Sequence, residues 1–208
     1  MSGSSLAALT ALLFAALFVV GAGLLDDPGH DDSEQLLNDF YADSGNRFRV
    51  VVGSYVLALS GLAFLLLAIL WGSHLPAARA EYKMIAVSSA AVFAGLLAAA
   101  AATHSPTYAL SVDAFDEPQS ELTRAVIPHF AYGMIVFGLL SAGLSIFALS
   151  HASGDDLVPG WLRIGGYLTA FALLFGILFM PAVALPLWAA VVGVTLLVRR
   201  LPESAPSP

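Results

Sequence analysis

Long apolar runs recur from one end of the 208-residue chain to the other. A helix that crosses a bilayer core of about 30 Å needs about 20 apolar residues, because backbone groups without hydrogen bonds are costly in hydrocarbon. Six stretches meet or approach this length, so the sequence predicts an all-α, polytopic membrane bundle of six transmembrane helices. The predicted spans cover about residues 6–25, 50–71, 84–102, 125–149, 161–179 and 182–198.

The composition agrees with this class. Only 11% of the residues are charged and 59% are hydrophobic, whereas soluble domains carry about 25% charged residues. The chain has no cysteine, which excludes disulfides and thiolate metal sites. We expect the first span to be retained rather than cleaved as a signal peptide, since residues 1–5 contain no Lys or Arg. Residues 201–208 are rich in Pro and Ser and are predicted to be a disordered tail.

The basic residues predict an orientation. If six helices alternate, one side of the membrane carries Arg79, Lys83, Arg163, Arg199 and Arg200, and the other carries Arg47, Arg49 and Arg124. The side richer in Lys and Arg faces the cytoplasm. This predicts a multi-pass protein of the cytoplasmic membrane with both termini in the cytoplasm. Most acidic residues then fall in the outer loops, which argues against nucleic acid as a partner.

Residues 26–49 form an acidic outer loop with a helical pattern inside it. The segment Asp32-Ser33-Glu34-Gln35 is typical of a helix start, and Gly45 is placed to end the helix. The apolar residues between them fall on one helical face, which consists of Leu36, Leu37, Phe40 and Tyr41. This predicts a short outer amphipathic helix. We interpret it as a lid packed on the bundle's own loops; the alternative is a docking site for a protein partner or for lipid.

The histidines at the ends of the predicted spans are candidates for binding haem or a metal. They are His74, His104, His129 and His151. Membrane haem proteins hold iron between imidazoles on facing helices. Three of these histidines fall at loop boundaries, however, so we interpret them as hydrated interfacial residues and expect no cofactor.

A second group of candidate ligands lies at the start of the outer loop. It consists of Asp26, Asp27, His30, Asp31 and Asp32. Oxygen-rich loops suit Ca²⁺ or Mg²⁺, but no EF-hand spacing is present. We therefore interpret the segment as a solvated acidic loop, with a cation site as the alternative.

The entry to the fifth span reads Leu157-Val158-Pro159-Gly160-Trp161-Leu162-Arg163-Ile164-Gly165. This segment resembles the corresponding entry in a group of uncharacterised bacterial six-span membrane proteins. The chain resembles that group in three more features. These are a long first outer loop with an acidic amphipathic helix, an Arg-bearing start of span two, and the C-terminal pair Arg199-Arg200. The group often has a basic residue where this chain has Gly160. The resemblance implies the fold and assigns no catalytic residue.

The predicted spans contain no Asp, Glu or Lys, the residues that usually mark transport and proton pathways. The chain also has no HExxH, GxSxG or Walker motif. We therefore expect a non-enzymatic structural or accessory membrane subunit whose partners are the lipid bilayer and another membrane protein or a second copy. The alternative is a protein that binds or transports lipid or an uncharged small molecule, and a more remote alternative is a membrane haem protein.

Overall fold

The computed structural model describes residues 3–26, 28, 33–103, 121–154, 157–175 and 180–199. Every regular element in these ranges is helical, which confirms the all-α class. The helices are α1 (Gly3–Leu24), α2 (Glu34–Ala42), α3 (Ser44–Ser73), α4 (Ala80–Thr103), α5 (Glu121–Ala152), α6 (Gly160–Leu173) and α7 (Ala184–Arg199). Short 3₁₀ turns, Ala77–Arg79 and Met180–Val183, precede α4 and α7.

Four helices within the described ranges are long and apolar enough to cross a membrane, namely α1, α3, α4 and α5. The last two helices are shorter. At about 1.5 Å per residue, α6 extends about 21 Å and α7 about 24 Å, compared with a hydrocarbon core of about 30 Å. The structure therefore supports a helical membrane bundle, while the fifth and sixth spans remain predictions.

Helix α6 ends at Leu173, before the predicted end of the fifth span at residue 179. After the end of the helix, the backbone hydrogen bonds span three residues instead of four. The Phe175 N–H, for example, donates to the Ala172 carbonyl at 3.0 Å. Gly176 follows, a residue type that weakens a continuing helix. Residues 176–179 lie outside the described ranges.

The outer helix also ends earlier than the sequence predicts. Gly45 does not close α2, because Asp43 ends that helix and at the same time caps the start of α3. The Asp43 carboxylate accepts a hydrogen bond from the Asn46 N–H at 3.0 Å. An aspartate at this position satisfies a backbone donor that would otherwise be left unpaired at the helix start. As a result α3 begins at Ser44, before the predicted start of the second span at residue 50.

The six longer helices form a closed ring. Each packs against the next in the order α1, α3, α4, α5, α6 and α7, and α7 returns to α1. Ala7 of α1, His74 after α3, Val158 before α6 and Leu196 of α7 line one small cavity. These residues lie at the starts of α1 and α6 and at the ends of α3 and α7, and Arg79, just before α4, bonds to the last carbonyls of α5. Neighbouring helices of the ring therefore run in opposite directions. The helix α2 lies outside the ring, against α3.

Aromatic side chains fill the middle of the ring. Phe64 lies between Phe14 and Phe93, with ring centroids 5.2 and 5.1 Å away, and all three side chains are buried. Nearer the end where α1 begins and α7 ends, the indole of Trp71 stacks on that of Trp188 at 5.8 Å. Because α3 and α7 are not neighbours in the ring, this pair packs across its centre.

Glycines allow the closest approaches between helices. A Cβ atom on Gly21 of α1 would lie 2.7 Å from the backbone nitrogen of Leu57 on α3. A Cβ on Gly193 of α7 would lie 2.9 Å from the Ala8 carbonyl oxygen of α1. Small residues at such contacts let the backbones of membrane helices approach each other.

Candidate functional site

The end of the molecule where α1 meets α3 carries the amphipathic helix α2. The Ser33 hydroxyl caps its start by accepting a hydrogen bond from the Leu36 N–H at 3.2 Å. Tyr41 is 2% exposed and packs with Leu37, Phe40 and Val51 of α3. Most of the apolar face of α2 is thus turned towards its own chain.

Side chains from the start of α3 bind the last carbonyls of α2. Asn46 Nδ2 donates to the Phe40 carbonyl at 3.0 Å. The Arg47 guanidinium donates from Nη1 to the Tyr41 carbonyl at 2.6 Å and to the Ala42 carbonyl at 3.0 Å. Helix C-termini leave such carbonyls without partners and carry partial negative charge, so a cation stabilises them. The contacts fix α2 on the entrance of α3.

Arg49 ties the preceding loop to the same place. Its Nη2 donates to the Asp26 carbonyl oxygen at 2.6 Å, and its guanidinium lies over the Phe40 ring at 5.4 Å from the centroid. Asp26 contributes its backbone here. The other residues of the candidate cation loop, which are Asp27, His30, Asp31 and Asp32, lie outside the described residues.

The four residues of the candidate docking face therefore differ in accessibility. Leu36 is 49% exposed, whereas Leu37 and Phe40 pack against the buried Tyr41, as does Val51 of α3. We did not predict that Asn46 and Arg47 bind the end of α2, a set of contacts that we call the α2 clamp. The signal was present in the Asn-Arg pair just after the helix, because such side chains can bind the last carbonyls of a helix.

The described histidines lie in three different surroundings. His74 lines the small cavity beside Trp71. His129 lines a groove on the outside of the ring, and His151 contacts aromatic rings at the opposite end of the same helix. His104 lies outside the described residues. Within the described ranges, no group of three His, Cys, Asp or Glu residues lies close enough to hold a metal ion.

His151 lies where α4, α5 and α6 meet, a region that we call the His151 junction. Its ring is 4.9 Å from the Tyr82 ring of α4 and 5.8 Å from the Phe147 ring. The Tyr167 hydroxyl of α6 lies 3.4 Å from His151 Nδ1. Arg79 Nη1 donates at 2.8 Å to the carbonyl oxygens of both His151 and Ala152, so it caps the end of α5.

An open apolar groove of about 650 Å³ runs between α4 and α5 on the outside of the ring. Val92 and Leu96 form its α4 side. Its α5 side is formed by His129, Phe130, Gly133, Met134, Phe137, Leu140, Ser141 and Leu144. A Cβ atom on Gly133 would meet no atom within 4 Å, so this glycine leaves open space in the groove.

No known protein family, curated protein or solved structure matches the chain. The resemblance to the group of six-span bacterial proteins therefore stays a prediction. The α2 clamp, the groove and the His151 junction are the candidate sites of this structure.

Proposed function

We propose that the protein is a non-enzymatic accessory subunit of a larger assembly in the cytoplasmic membrane. The observation that carries this proposal is the filling of the ring by Phe14, Phe64 and Phe93 and by the stacked pair Trp71 and Trp188. Side chains packed at the density of a protein interior occupy the space that a passing solute would need. The chemically distinctive groups lie instead at the two ends and on the outer surface, which supports binding to a partner.

The proposed partner surface is the exposed edge of the clamped helix and the adjacent part of α3. Leu36 is 49% exposed, and Phe48 and Tyr55 of α3 are 71% and 70% exposed. Phe48 and Tyr55 are two turns apart and so share one helical face. The clamp from Arg47 holds α2 in place, and a rigid element loses little conformational entropy when it binds.

Affinity purification of the full chain in mild detergent tests this proposal. Leu36→Glu is expected to abolish recovery of a stoichiometric partner, because it places a charge in the proposed contact. Gln35→Glu is the matched control, since it adds the same charge to a neighbouring exposed position of the same helix. Equal recovery of the partner with both variants would contradict the proposed surface.

The orientation with both termini in the cytoplasm belongs to the same proposal. The described end that carries the start of α1 also carries Arg79, Lys83 and Arg163, and Trp161 at the start of α6 is 58% exposed. Basic residues favour the cytoplasmic side, and exposed aromatic residues favour the membrane interface.

A second candidate function is lipid binding, which the groove between α4 and α5 favours. Its volume of about 650 Å³ and its apolar lining suit an acyl chain. Gly133→Leu is expected to fill the groove and reduce the number of lipids retained after purification. Gly95→Leu is the matched control, because Gly95 is an exposed glycine of α4 that also has nothing within 4 Å and does not line the groove. Equal lipid retention by both variants would contradict this function.

A further inference from the structure

We propose that the groove between α4 and α5 holds an acyl chain of a phospholipid from the leaflet at the end where α5 begins, with the headgroup of that lipid beside His129. In the orientation proposed above, this is the outer leaflet. The inference deepens the second candidate function and rests on it, because it names the leaflet and the direction of the lipid in the same groove. Two observations carry it: the depth of the groove in the membrane and the distribution of polar groups along its lining.

The middle of α5 gives the level of the membrane centre. The apolar segment of this helix runs from Val126 to Ala152, so Leu139 is its central residue. The packing inside the helical ring agrees with this level. A Cβ atom on Gly138 would lie 3.5 Å from the phenyl ring of Phe93, which belongs to the aromatic group that fills the middle of the helical ring. We therefore take Leu139 as the level at which the two leaflets meet.

Most of the α5 side of the groove lies on one side of that level. One leaflet of the hydrocarbon core is about 15 Å deep, which corresponds to about ten residues of helix. His129 precedes Leu139 by ten residues, so it lies at the depth where the hydrocarbon meets the headgroups. Phe130, Gly133 and Phe137 follow within the same leaflet. The groove therefore opens mainly into the leaflet at the end where α5 begins.

The deep end of the groove lies near the membrane centre. On α5 it is lined by Leu140, Ser141 and Leu144, all within five residues of Leu139. The acyl chain of a lipid in the opposite leaflet reaches this deep end from the other side. Such a chain does not reach Gly133, the glycine that leaves open space in the groove. A chain that fills the groove along most of its length therefore comes from the leaflet at the His129 end.

The polar groups of the lining are distributed in the same direction. His129 lies at the shallow end, and an imidazole has nitrogen atoms that donate or accept hydrogen bonds. Ser141 lies at the deep end, and its hydroxyl donates to the Phe137 carbonyl at 3.0 Å within its own helix. The deep end therefore offers no free hydroxyl hydrogen to a ligand. A lining that is polar at the headgroup level and apolar at the membrane centre fits one lipid with its headgroup beside His129.

The test is photocrosslinking of the purified full chain in liposomes that contain a trace of phosphatidylcholine with a diazirine on one acyl chain. A first probe carries the diazirine near the carboxyl end of the chain, and a second probe carries it at the methyl end. Adducts are mapped on proteolytic peptides by mass spectrometry. We expect the first probe to label the segment from Phe130 to Met134 and the second to label the segment from Leu140 to Leu144. The reverse order of labelling would overturn the proposal.

Gly133→Leu is expected to remove most adducts of the first probe from α5, because the leucine side chain fills the groove within the leaflet from which the chain enters. Gly95→Leu is the matched control, since it adds the same side chain to an exposed glycine of α4 that does not line the groove. Equal labelling of the two variants by the first probe would overturn the proposal. The order of labelling in the wild type needs no variant, so it decides the question even if Gly133→Leu does not fold.

Two further results separate this inference from the function on which it rests. If neither probe labels the groove more than the exposed face of α6, where Leu168 is 64% exposed, the groove binds no acyl chain, and the second candidate function fails together with the inference. If the labelling follows the reverse order and Gly133→Leu removes it, a lipid of the opposite leaflet occupies the groove. That result overturns the leaflet and the direction, while the second candidate function stands.

Discussion

Replacing Gly21 with alanine is expected to weaken the contact between α1 and α3. The added Cβ atom would lie 2.7 Å from the Leu57 nitrogen and 2.9 Å from the Leu57 Cα atom. Both are backbone atoms, so no rotamer change can relieve the overlap and the two helices must move apart. From the facing side, a Cβ on Gly53 would lie 2.7 Å from the Leu24 Cβ atom. The two glycines thus mark one tight crossing.

The magnitude follows from two opposing effects. A glycine-to-alanine change inside a helix gains about 1 kcal/mol of helix propensity. Overpacking of a close contact costs about 1–3 kcal/mol. Gly95→Ala is the control, because Gly95 also lies inside a helix but its Cβ would meet nothing within 4 Å. We therefore expect Gly21→Ala to be about 1–3 kcal/mol less stable than Gly95→Ala.

The assay is reversible unfolding of the purified protein in mixed micelles with increasing SDS, followed by circular dichroism. The comparison between the two variants cancels the propensity gain, so the difference in unfolding free energy reports the crossing alone. If Gly21→Ala proves as stable as Gly95→Ala, the close approach of α1 and α3 is refuted.

Three other predictions concern the stability and the orientation of the bundle. Ser145→Ala removes the bond from the Ser145 hydroxyl to an α4 carbonyl at 2.9 Å and is expected to lower the unfolding free energy by about 0.6 kcal/mol in the same SDS titration. Asp43→Ala removes the cap of α3 and is expected to cost about 1 kcal/mol, while Asp39→Ala, on the exposed side of α2, is expected to have little effect. Because the chain has no cysteine, Lys83→Cys and Asp39→Cys can each be labelled at a single site with a membrane-impermeant maleimide. We expect Asp39→Cys to react in intact cells and Lys83→Cys to react only after the membrane is permeabilised. The reverse pattern would contradict the predicted orientation.

The long helices could be predicted from the sequence because their signal is local. In α3 apolar residues continue for as long as a membrane crossing requires and in α4 for nearly as long, and no proline or charged run interrupts them. Their ends were harder to place. The start of α3 depends on Asp43, a residue whose capping role becomes visible only when α2 ends beside it.

The candidate sites depended on contacts between distant parts of the chain, which sequence patterns do not reveal. His151 was predicted as an interfacial histidine from its place at the end of a span. Its surroundings come from Tyr82 and Tyr167, which belong to two other helices. The bond from Arg79 to the end of α5 joins residues more than 70 positions apart. No local spacing carries that information.

The basic residues of this chain have a common use at both ends of the bundle. Arg47 binds the last carbonyls of α2, and Arg79 binds the last carbonyls of α5. A helix C-terminus near a membrane carries partial negative charge in a medium of low dielectric, where a cation stabilises it more than in water. A chain with only 8 Lys and Arg residues therefore uses two of them, Arg47 and Arg79, to hold helix ends in place.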